Sequence, residues 1–315
     1  MHDVLICGTC VADILVKPVG LADAIGGGRL FHVDPIEVTT GGIVCNTGIA
    51  MRRLGMGVAA SSLVGADPWA DLIRARLAAE GLDVSAVETH ATLATSTTAV
   101  LIDPGGERSF AHHVGAPAAI DLAFIRRAAP HFGRCRMAVI GYHGLLPALE
   151  HDLAAAVQAV KAAGCLVAVE TAGSGGPFDP LAAALPHVDV YVPSLDEAVN
   201  QTGLADPRAI VERYRACGAP GLLGVKLGTR GTLLSPAAGE FLEIPCVPAP
   251  GPVADTTGAG DSFLAGLLTG LLRGMEIRRA ALLGAATAAC CVTGIGATAG
   301  LRSFEETLAI AAGSM

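Results

Sequence analysis

Basic residues are scarce in this 315-residue sequence, in which 21 lysines and arginines stand against 29 aspartates and glutamates. The formal net charge of −8 and the lack of a basic stripe argue against a nucleic-acid-binding protein. The amino terminus also lacks a basic segment ahead of an apolar one, so no secretory signal is expected. Residues 280–301 carry no charge, but their alanine, glycine, threonine and cysteine predict a buried helix rather than a membrane span. We therefore expect neither nucleic acid nor a membrane as a partner.

Aromatic residues make up only 4% of the chain, although hydrophobic types make up 52% and glycines number 40. So apolar a chain is not disordered, and its glycines follow no three-residue period, which excludes collagen. The nine cysteines are an odd number and lie mostly in apolar runs, as expected for buried reduced thiols. This pattern predicts a protein of the cytoplasm.

Short apolar runs alternate with amphipathic stretches along the whole sequence. The apolar runs that predict strands occupy residues 4–7, 58–64, 137–140, 166–169, 188–192 and 221–225. The stretches that predict helices occupy residues 47–54, 69–80, 149–163, 195–201 and 208–216. Continuous apolar runs are typical of strands buried on both faces, so the pattern predicts an α/β fold with a doubly wound, mostly parallel sheet flanked by helices.

Two segments interrupt this alternation. Residues 97–113 predict an antiparallel hairpin around a Pro-Gly-Gly turn, and residues 11–16 and 31–39 are extended without a helix directly after them. We expect these pieces to form a small β-sheet lid over the main sheet. No Pro/Ser-rich linker divides the chain, so the prediction is a single domain over residues 1–315, with a lid formed by inserted segments at about 11–39 and 95–114.

The standard phosphate-binding loops are missing. Gly-Lys-Ser/Thr occurs nowhere, because none of the three lysines follows a glycine. A loose dinucleotide-binding match at residues 294–299 leaves too few residues before Met315 for the second strand of a βαβ unit. An NAD-dependent oxidoreductase is therefore not expected.

The most informative run is Asp-Thr-Thr-Gly-Ala-Gly-Asp-Ser-Phe at residues 255–263, directly before an apolar helix-forming stretch. The small residues Gly258, Ala259 and Gly260 allow backbone N–H groups to converge on an anion at a helix amino terminus. Asp261 follows in the first helical turn, where its carboxylate can accept the proton of a hydroxyl that attacks a phosphoryl group. An aspartate that only caps the helix would not require Gly-Ala-Gly before it, so the run predicts phosphoryl-transfer chemistry.

A second glycine-rich turn, at residues 39–46, also precedes a helix. Gly41 and Gly42 allow a ligand to approach the backbone closely, and Asn46 offers a donor and an acceptor to a polyol. Taken alone, this turn is equally compatible with a purely structural role.

Together the two runs resemble the signatures of the PfkB (ribokinase-like) family of carbohydrate and nucleoside kinases, and the resemblance extends over essentially the whole chain. It implies a ribokinase-like fold and an enzyme that phosphorylates a primary hydroxyl of a sugar or sugar-containing small molecule with ATP. In this resemblance Asp261 matches the catalytic base. The positions that match the anion hole are Gly258, Ala259 and Gly260. The positions that match the sugar-binding residues are Asp13, Gly41, Gly42 and Asn46.

The resemblance also implies sites for the nucleotide and for two kinds of cation. The residues that fall where the family approaches the nucleotide are Lys226, Gly228, Gly231 and Ser194. Glu197 matches the acid of an Asn-x-x-Glu motif that is associated with Mg²⁺ through water. Asp255 and Thr257 match a loop that binds a monovalent cation such as K⁺ in several members.

The sequence departs from the family pattern at two places. Ser194 stands where the Asn-x-x-Glu motif has asparagine, so a hydroxyl replaces an amide. Two outcomes stay open: the serine suffices, because Mg²⁺ is held through water as well as carboxylates, or the metal is less well organised. Residues 170–174 are Glu-Thr-Ala-Gly-Ser, where many hexose kinases carry Asp-x-Asn-x-Arg, which favours a pentose-bearing substrate over a hexose. His112 and His113 lie in the predicted lid without an assigned role, and such pairs are commonly surface residues.

Two other functions remain open, an adenosine-type nucleoside kinase and a non-catalytic sugar or nucleotide sensor on the same fold. Asp261 argues against the sensor, since a sensor needs no base beside an anion hole. The open edges of a lid sheet also predict a homodimer formed through the lid.

Overall fold

Thirteen strands lie in the described part of the chain, which comprises residues 1–21, 28, 30–105 and 107–313 of the computed structural model. They are β1 (His2–Cys7), β2 (Val11–Val16), β3 (Glu37–Gly41), β4 (Val58–Val64), β5 (Asp83–Thr89), β6 (Ser96–Ile102), β7 (Arg108–His113), β8 (Cys135–Ile140), β9 (Leu166–Val169), β10 (Val190–Tyr191), β11 (Leu222–Lys226), β12 (Thr232–Ser235) and β13 (Leu242–Ile244).

Nine of these strands form the main sheet, in the order β13-β12-β11-β10-β9-β8-β1-β4-β5. Every neighbouring pair from β11 to β5 is parallel, whereas β12 and β13 extend the sheet antiparallel. The predicted mostly parallel sheet is confirmed. Strands β5, β12 and β13 were not predicted; they lie at or near the sheet edges, where the apolar signal of a doubly buried strand is weakest.

Eleven α-helices accompany the strands in the same described ranges. They are α1 (Gly42–Arg53), α2 (Pro68–Ala79), α3 (Leu122–Arg127), α4 (Ala129–Phe132), α5 (Leu153–Ala162), α6 (Phe178–Ala184), α7 (Leu195–Thr202), α8 (Pro207–Ala216), α9 (Ala259–Leu272), α10 (Ile277–Cys291) and α11 (Phe304–Ala312). None of the helices in the described ranges is long and apolar enough to cross a membrane.

The helices bury both faces of the main sheet. Val4 and Ile6 of β1 belong to one apolar cluster, with residues of α1, α2, α9 and α10. Leu5 and Cys7 belong to a second cluster, with residues of α3, α5 and α8. Because successive side chains of a strand point to opposite faces, two covered faces require apolar residues at every position. This is the reason for the unbroken apolar runs in the sequence.

Several helix bounds differ from the sequence prediction, and two of the differences lie next to the site. Helix α1 begins at Gly42 rather than at residue 47, so Asn46 lies inside the helix and not in a turn before it. The uncharged stretch 280–301 is not one helix, because α10 ends at Cys291 and residues 292–303 form a turn. Gly296 has a φ of +80° within that turn, a backbone conformation that favours glycine.

The predicted lid is a four-stranded sheet in the order β3-β2-β6-β7. Strands β6 and β7 form the predicted hairpin, and β2 pairs parallel with β6 and antiparallel with β3. The extended stretch predicted at 31–39 contains a strand only from residue 37 onward. Residues 22–27, 29 and 106 of the predicted lid segments lie outside the described residues.

The winding of the main sheet reverses next to β1. From β1 the chain continues to β4 and β5 on one side, whereas β8, β9, β10 and β11 follow on the other side. Ligands of such sheets bind in the crevice at the carboxyl ends of the strands where the order reverses. Gly8 and Gly141 follow β1 and β8 at this crevice, and a Cβ on Gly8 would lie 2.5 Å from the carbonyl oxygen of Gly141. The two chain segments can lie this close because Gly8 has no side chain.

Candidate active site

Two cavities lie on either side of the amino terminus of α9. The first, of about 220 Å³, lies between the lid and the crevice of the main sheet, and all four predicted sugar-binding residues line it. The second, of about 420 Å³, is lined by the predicted nucleotide residues Lys226, Gly228 and Gly231, together with Ala259 and Gly260 of the predicted anion hole. We call them the substrate cavity and the nucleotide cavity. Asp255 and Thr257 of the predicted cation loop also line the substrate cavity. The other predicted site residues line neither cavity; they are Ser194, Glu197, Gly258 and Asp261.

The Gly41–Gly42 turn joins the lid to α1 at the floor of the substrate cavity. A Cβ on Gly41 would overlap the carboxylate of Asp13, a residue of β2 whose side chain lies against the turn. Gly42 has a φ of +80°, and a Cβ there would lie 2.5 Å from the carbonyl oxygen of Thr9. Both glycines are therefore required for the close packing of the lid strands against the start of α1.

Asp13 points into the substrate cavity from the lid. Burial raises the pKa of its carboxyl group, and a hydrogen bond with Thr98 opposes that shift. Thr98 also shares a hydrogen bond of 3.0 Å with Nδ1 of His112, and burial lowers the pKa of this imidazole. His112 therefore belongs to the cavity wall, whereas His113 does not line it.

Asp261 is the third residue of α9 and is buried. It lines neither cavity itself, but its hydrogen-bond partners Asn46 and Tyr142 line the substrate cavity and the preceding Gly260 lines the nucleotide cavity, so it lies between the two. Its Oδ2 accepts hydrogen bonds from Nδ2 of Asn46 at 2.8 Å and from the hydroxyl of Tyr142 at 2.7 Å. Burial raises the pKa of Asp261, while these two hydrogen bonds and the charge of Lys226 oppose the rise. The carboxylate is thus held at one oxygen by two neutral donors.

Tyr142 is a functional candidate that the sequence did not reveal. It follows β8 at the sheet crevice and has a φ of +58°, a left-handed conformation that is uncommon for a residue other than glycine. Burial and the neighbouring Asp261 raise the pKa of its hydroxyl well above the ordinary value, so it remains a proton donor to the carboxylate. Its position directly after a central strand was the only signal available in the sequence.

The amino terminus of α9 offers open backbone donors. Gly258 has a φ of +75°, and a Cβ there would overlap the side chain of Ala297. The N–H of Ala259 donates to the carbonyl of Thr256 at 3.3 Å, whereas those of Gly258, Gly260 and Asp261 have no backbone partner among the described residues. Together with the positive end of the helix dipole, these donors form a site for an anion.

Lys226 places a positive charge beside the amino terminus of α9. A Cβ on Gly260 would lie only 3.3 Å from its Nζ, and Nζ lies 2.5 Å from Oε1 of Glu170. Burial lowers the pKa of Lys226, but the charges of Glu170 and Glu197 outweigh burial and leave it raised, so the ammonium group stays charged. Burial likewise raises the pKa of Glu170, against the charge of Lys226.

Glu170 is a second candidate that was not predicted as a site residue. It follows β9, its side chain is 2% exposed, and its Oε2 is buried without a hydrogen-bond partner in the described residues. A buried carboxylate oxygen without a partner is costly unless a ligand or cation satisfies it. The sequence marked this position only as a departure from a hexose-kinase motif.

Ser194 and Glu197 form a reciprocal cap at the start of α7. The hydroxyl of Ser194 accepts the N–H of Glu197 at 3.3 Å, and Oε2 of Glu197 accepts the N–H of Ser194 at 2.8 Å. Ser194 also bridges the backbone of Lys226 at the edge of the nucleotide cavity. The serine in place of asparagine therefore keeps the helix cap, because both residue types cap helices well.

Asp255 and Thr257 lie on the loop that leads into α9. Asp255 forms an ion pair with Arg108, the first residue of β7 in the lid, with 2.7 Å between Oδ1 and Nη1. Arg108 also donates a hydrogen bond to the hydroxyl of Thr257. The lid hairpin thus contacts the loop on which the resemblance placed a monovalent cation.

Comparison with known proteins gives relatives over most of the chain. A family model described as pfkB family carbohydrate kinase matches residues 1–303. Ribokinase of Haemophilus influenzae is 27% identical over 277 residues, which cover 86% of this chain and 87% of the relative. Fructokinase of Klebsiella pneumoniae is 30% identical over 274 residues, which cover 84% of this chain and 83% of the relative. The structure of Arabidopsis thaliana ribokinase complexed with ribose and ATP superimposes with a TM-score of 0.83 over 98% of both chains, at 22% identity.

Proposed function

Because this chain belongs to the pfkB family of carbohydrate kinases, we propose that it transfers the γ-phosphoryl group of ATP to a primary hydroxyl of a sugar or sugar-containing small molecule. The observation that carries the proposal is the position of Asp261 between the two cavities. Asn46 and Tyr142 hold its Oδ2, which leaves Oδ1 to accept the proton of the attacking hydroxyl.

The residues on the nucleotide side would stabilise the charge that develops on the transferred group. The open N–H groups of Gly258 and Gly260 and the ammonium group of Lys226 converge beside Asp261. Donors that are already oriented lower the barrier because they need no reorganisation during the reaction. Gly228 and Gly231 lie at the mouth of the nucleotide cavity, whose alanine and valine side chains suit the flat face of an adenine ring.

The acidic residues of this region fit Mg²⁺ held mainly by phosphate oxygens and water. The described residues contain no cluster of three or more metal-binding side chains. Mg²⁺ in kinases commonly uses one or two carboxylates, and Glu170 offers a buried Oε2 without a partner, with Glu197 nearby. When bound, the ion neutralises phosphate charge. The carboxylates of Glu170 and Glu197 would hold it, and Lys226 would remain paired with Glu170.

The substrate cavity favours a molecule with both hydroxyl and apolar surfaces. Asp13 and Asn46 offer polar groups at its floor, whereas Val11, Val100 and Phe110 form an apolar wall on the lid. A ribose hydroxyl suits the floor, and a nucleobase or another apolar substituent suits the wall. This wall supports the nucleoside kinase as the second candidate, alongside a free pentose.

A substrate panel tests the proposed activity. We expect ADP release to depend on a pentose, a hexose or a nucleoside when the purified chain is mixed with MgATP. Asp261→Asn should lower kcat by at least about 10³-fold, because it removes the proton acceptor at the transfer point. ATP binding, measured by calorimetry, should change little. Asp71→Asn, an exposed aspartate in the first turn of α2, is the matched control and should keep full activity.

The same experiment separates the kinase from the sensor. Binding of sugar and ATP without any turnover on the whole panel would support the sensor and contradict the kinase. Turnover that survives in Asp261→Asn would contradict the role of Asp261 while leaving the kinase assignment intact.

We also propose a homodimer through the lid. Strands β3 and β7 are the open edges of the lid sheet, and Ile36 and Val38 beside and within β3 are 58% and 41% exposed. Covering these side chains would stabilise a dimer and protect a sheet edge. Val38→Lys should then convert the dimer to a monomer in light scattering, and a wild-type chain that is already monomeric would contradict the proposal.

We also propose that the protein is located in the cytoplasm. All nine cysteines are free, and seven of them are buried. Free thiols persist in a reducing compartment. Fractionation of the source cells should place the chain with cytoplasmic markers, and recovery with secreted proteins would contradict this.

A further inference from the structure

Both carboxylate oxygens of Asp255 accept hydrogen bonds from the chain itself. Its side chain is only 5% exposed. Oδ1 accepts the backbone N–H of Thr257 at 2.7 Å, and Oδ2 accepts the backbone N–H of Gly296 at 2.7 Å. The carboxylate therefore joins the loop before α9 to the turn after α10. A negative charge buried this deeply also needs a counter-charge, because neutral donors alone compensate its lost hydration poorly.

Arg108 supplies that counter-charge from the lid. Its Nη1 lies 2.7 Å from Oδ1 of Asp255, and the same guanidinium nitrogen donates to the hydroxyl of Thr257. No other ion pair involves Asp255 within the described ranges. Burial raises the pKa of Asp255, but the hydrogen bonds from Thr257 and Gly296, together with that from Arg108, outweigh burial and leave the pKa below its ordinary value. Asp255 is thus ionised, and its partner is a cation of the chain.

The monovalent cation that the resemblance implies at Asp255 and Thr257 does not fit this arrangement. K⁺ would have to share Oδ1 of Asp255 and the hydroxyl of Thr257 with the Arg108 guanidinium, which already contacts both. It would also stand beside a guanidinium group of the same charge, at a partly buried site where like charges repel strongly.

We propose that the Arg108 guanidinium takes the place of a monovalent cation on the Asp255 loop. The inference rests on the proposed kinase function for its catalytic consequence. Arg108 is a positioning residue in this scheme: it neutralises Asp255, Asp255 fixes the loop, and the loop presents Gly258 and Asp261. The enzyme then requires no added K⁺, and the loop is neutralised only while the lid hairpin lies against it.

A thermal-melting experiment tests the inference without relying on activity. Wild type should melt at the same temperature in KCl and in N-methyl-D-glucamine chloride of equal ionic strength. Arg108→Ala should melt lower in the organic salt and regain about 2–4 °C in KCl, because K⁺ can now reach Asp255. Arg108→Lys should show no K⁺ response. The double variant Arg108→Ala/Asp255→Asn should also show none, since it lacks the carboxylate.

A surface arginine provides the matched control. Arg127 pairs with Glu88 on the protein surface, and Arg127→Ala should behave as wild type in both salts. Wild type that is stabilised by K⁺ as strongly as Arg108→Ala would overturn the inference. Arg108→Ala that shows no K⁺ response would overturn it as well.

Kinetics then test the catalytic consequence. The kcat of wild type should not change between the two salts. Arg108→Ala should lose on the order of 10- to 100-fold in kcat without K⁺ and regain most of it with K⁺. A rise in the KM for the sugar that K⁺ does not reverse would assign Arg108 to substrate binding instead and overturn the inference. A chain without turnover on any substrate would contradict the proposed function, while the melting experiment would still decide the role of Arg108.

Discussion

The substrate cavity and the nucleotide cavity differ in which parts of the chain line them and in the chemistry of their lining side chains. The residues of the first come from nearly the whole chain, between Thr9 and Ala297, and its floor consists of carboxylates, amides and hydroxyls with fixed partners. The second is formed almost entirely by residues between Lys226 and Val292, and its wall is mostly small apolar side chains. The first can select a ligand by directed hydrogen bonds, whereas the second holds one by shape and apolar contact. Substitutions in the substrate cavity are therefore expected to change which ligand is bound more readily than substitutions in the nucleotide cavity.

The buried Lys226–Glu170 pair lies beside the nucleotide cavity, which Lys226 lines, and breaking it should have the largest effect on stability. Lys226→Met leaves Glu170 buried without a counter-charge, so the free energy of unfolding should fall by about 3–5 kcal/mol. Urea unfolding at neutral pH measures this. Lys226→Met/Glu170→Leu should regain most of the loss, since it removes the uncompensated charge. An equal loss in the double variant would show that packing, and not charge, explains the effect.

A substitution in the substrate cavity and one in the nucleotide cavity should affect the kinetic constants of the sugar and of ATP separately. Gly42→Ala places a Cβ against Thr9 at a φ of +80°, so kcat/KM for the sugar should fall about 10- to 100-fold. Ala288→Leu fills part of the nucleotide cavity from α10 and should raise the KM for ATP by about tenfold while the KM for the sugar stays unchanged. Equal effects of both variants on both substrates would contradict the division into two cavities.

The pH dependence should reveal the hydroxyl that holds Asp261. The hydrogen bond from Tyr142 lowers the pKa of Asp261 against the effect of burial. Tyr142→Phe removes that bond, so the pKa of Asp261 should rise, and the acidic limb of the kcat profile should move to higher pH. Above this limb the carboxylate is again ionised, and kcat should be reduced only about 3- to 10-fold by poorer positioning. A limb that stays in place would contradict the coupling of the two side chains.

The smallest effect is expected at the cap of α7. Ser194→Ala should cost about 1 kcal/mol of stability, because the N–H of Glu197 loses its acceptor. Ser194→Asn should cost almost nothing, because asparagine restores the cap. Chemical unfolding measures both, and the dependence of kcat on Mg²⁺ should be unchanged in Ser194→Asn. An increased affinity for Mg²⁺ in that variant would show that the amide does more than cap the helix.

The sequence was informative where local chain geometry determines the structure. Residues 255–263 and 39–46 imply their own backbone conformations, and the structure brings both segments to the substrate and nucleotide cavities. Tyr142 and Glu170 were missed because each follows a strand and acquires its role only through partners brought in by other strands and helices. The contact of Arg108 with Asp255 likewise joins residues from the lid and the loop before α9. Single-sequence patterns contain no information on such pairings.

The hydrogen bond between Asn46 and Asp261 spans 215 positions of the chain. During synthesis, the residues of the substrate cavity near the amino terminus leave the ribosome long before α9 exists. A nascent chain therefore contains the Gly41–Gly42 turn and Asn46 at the floor of the substrate cavity, but neither Asp261 nor the helix terminus beside it. If Asp261 is the base that we propose, phosphoryl transfer can begin only after the last third of the chain has joined the first, and an unfinished or truncated chain would consume no ATP.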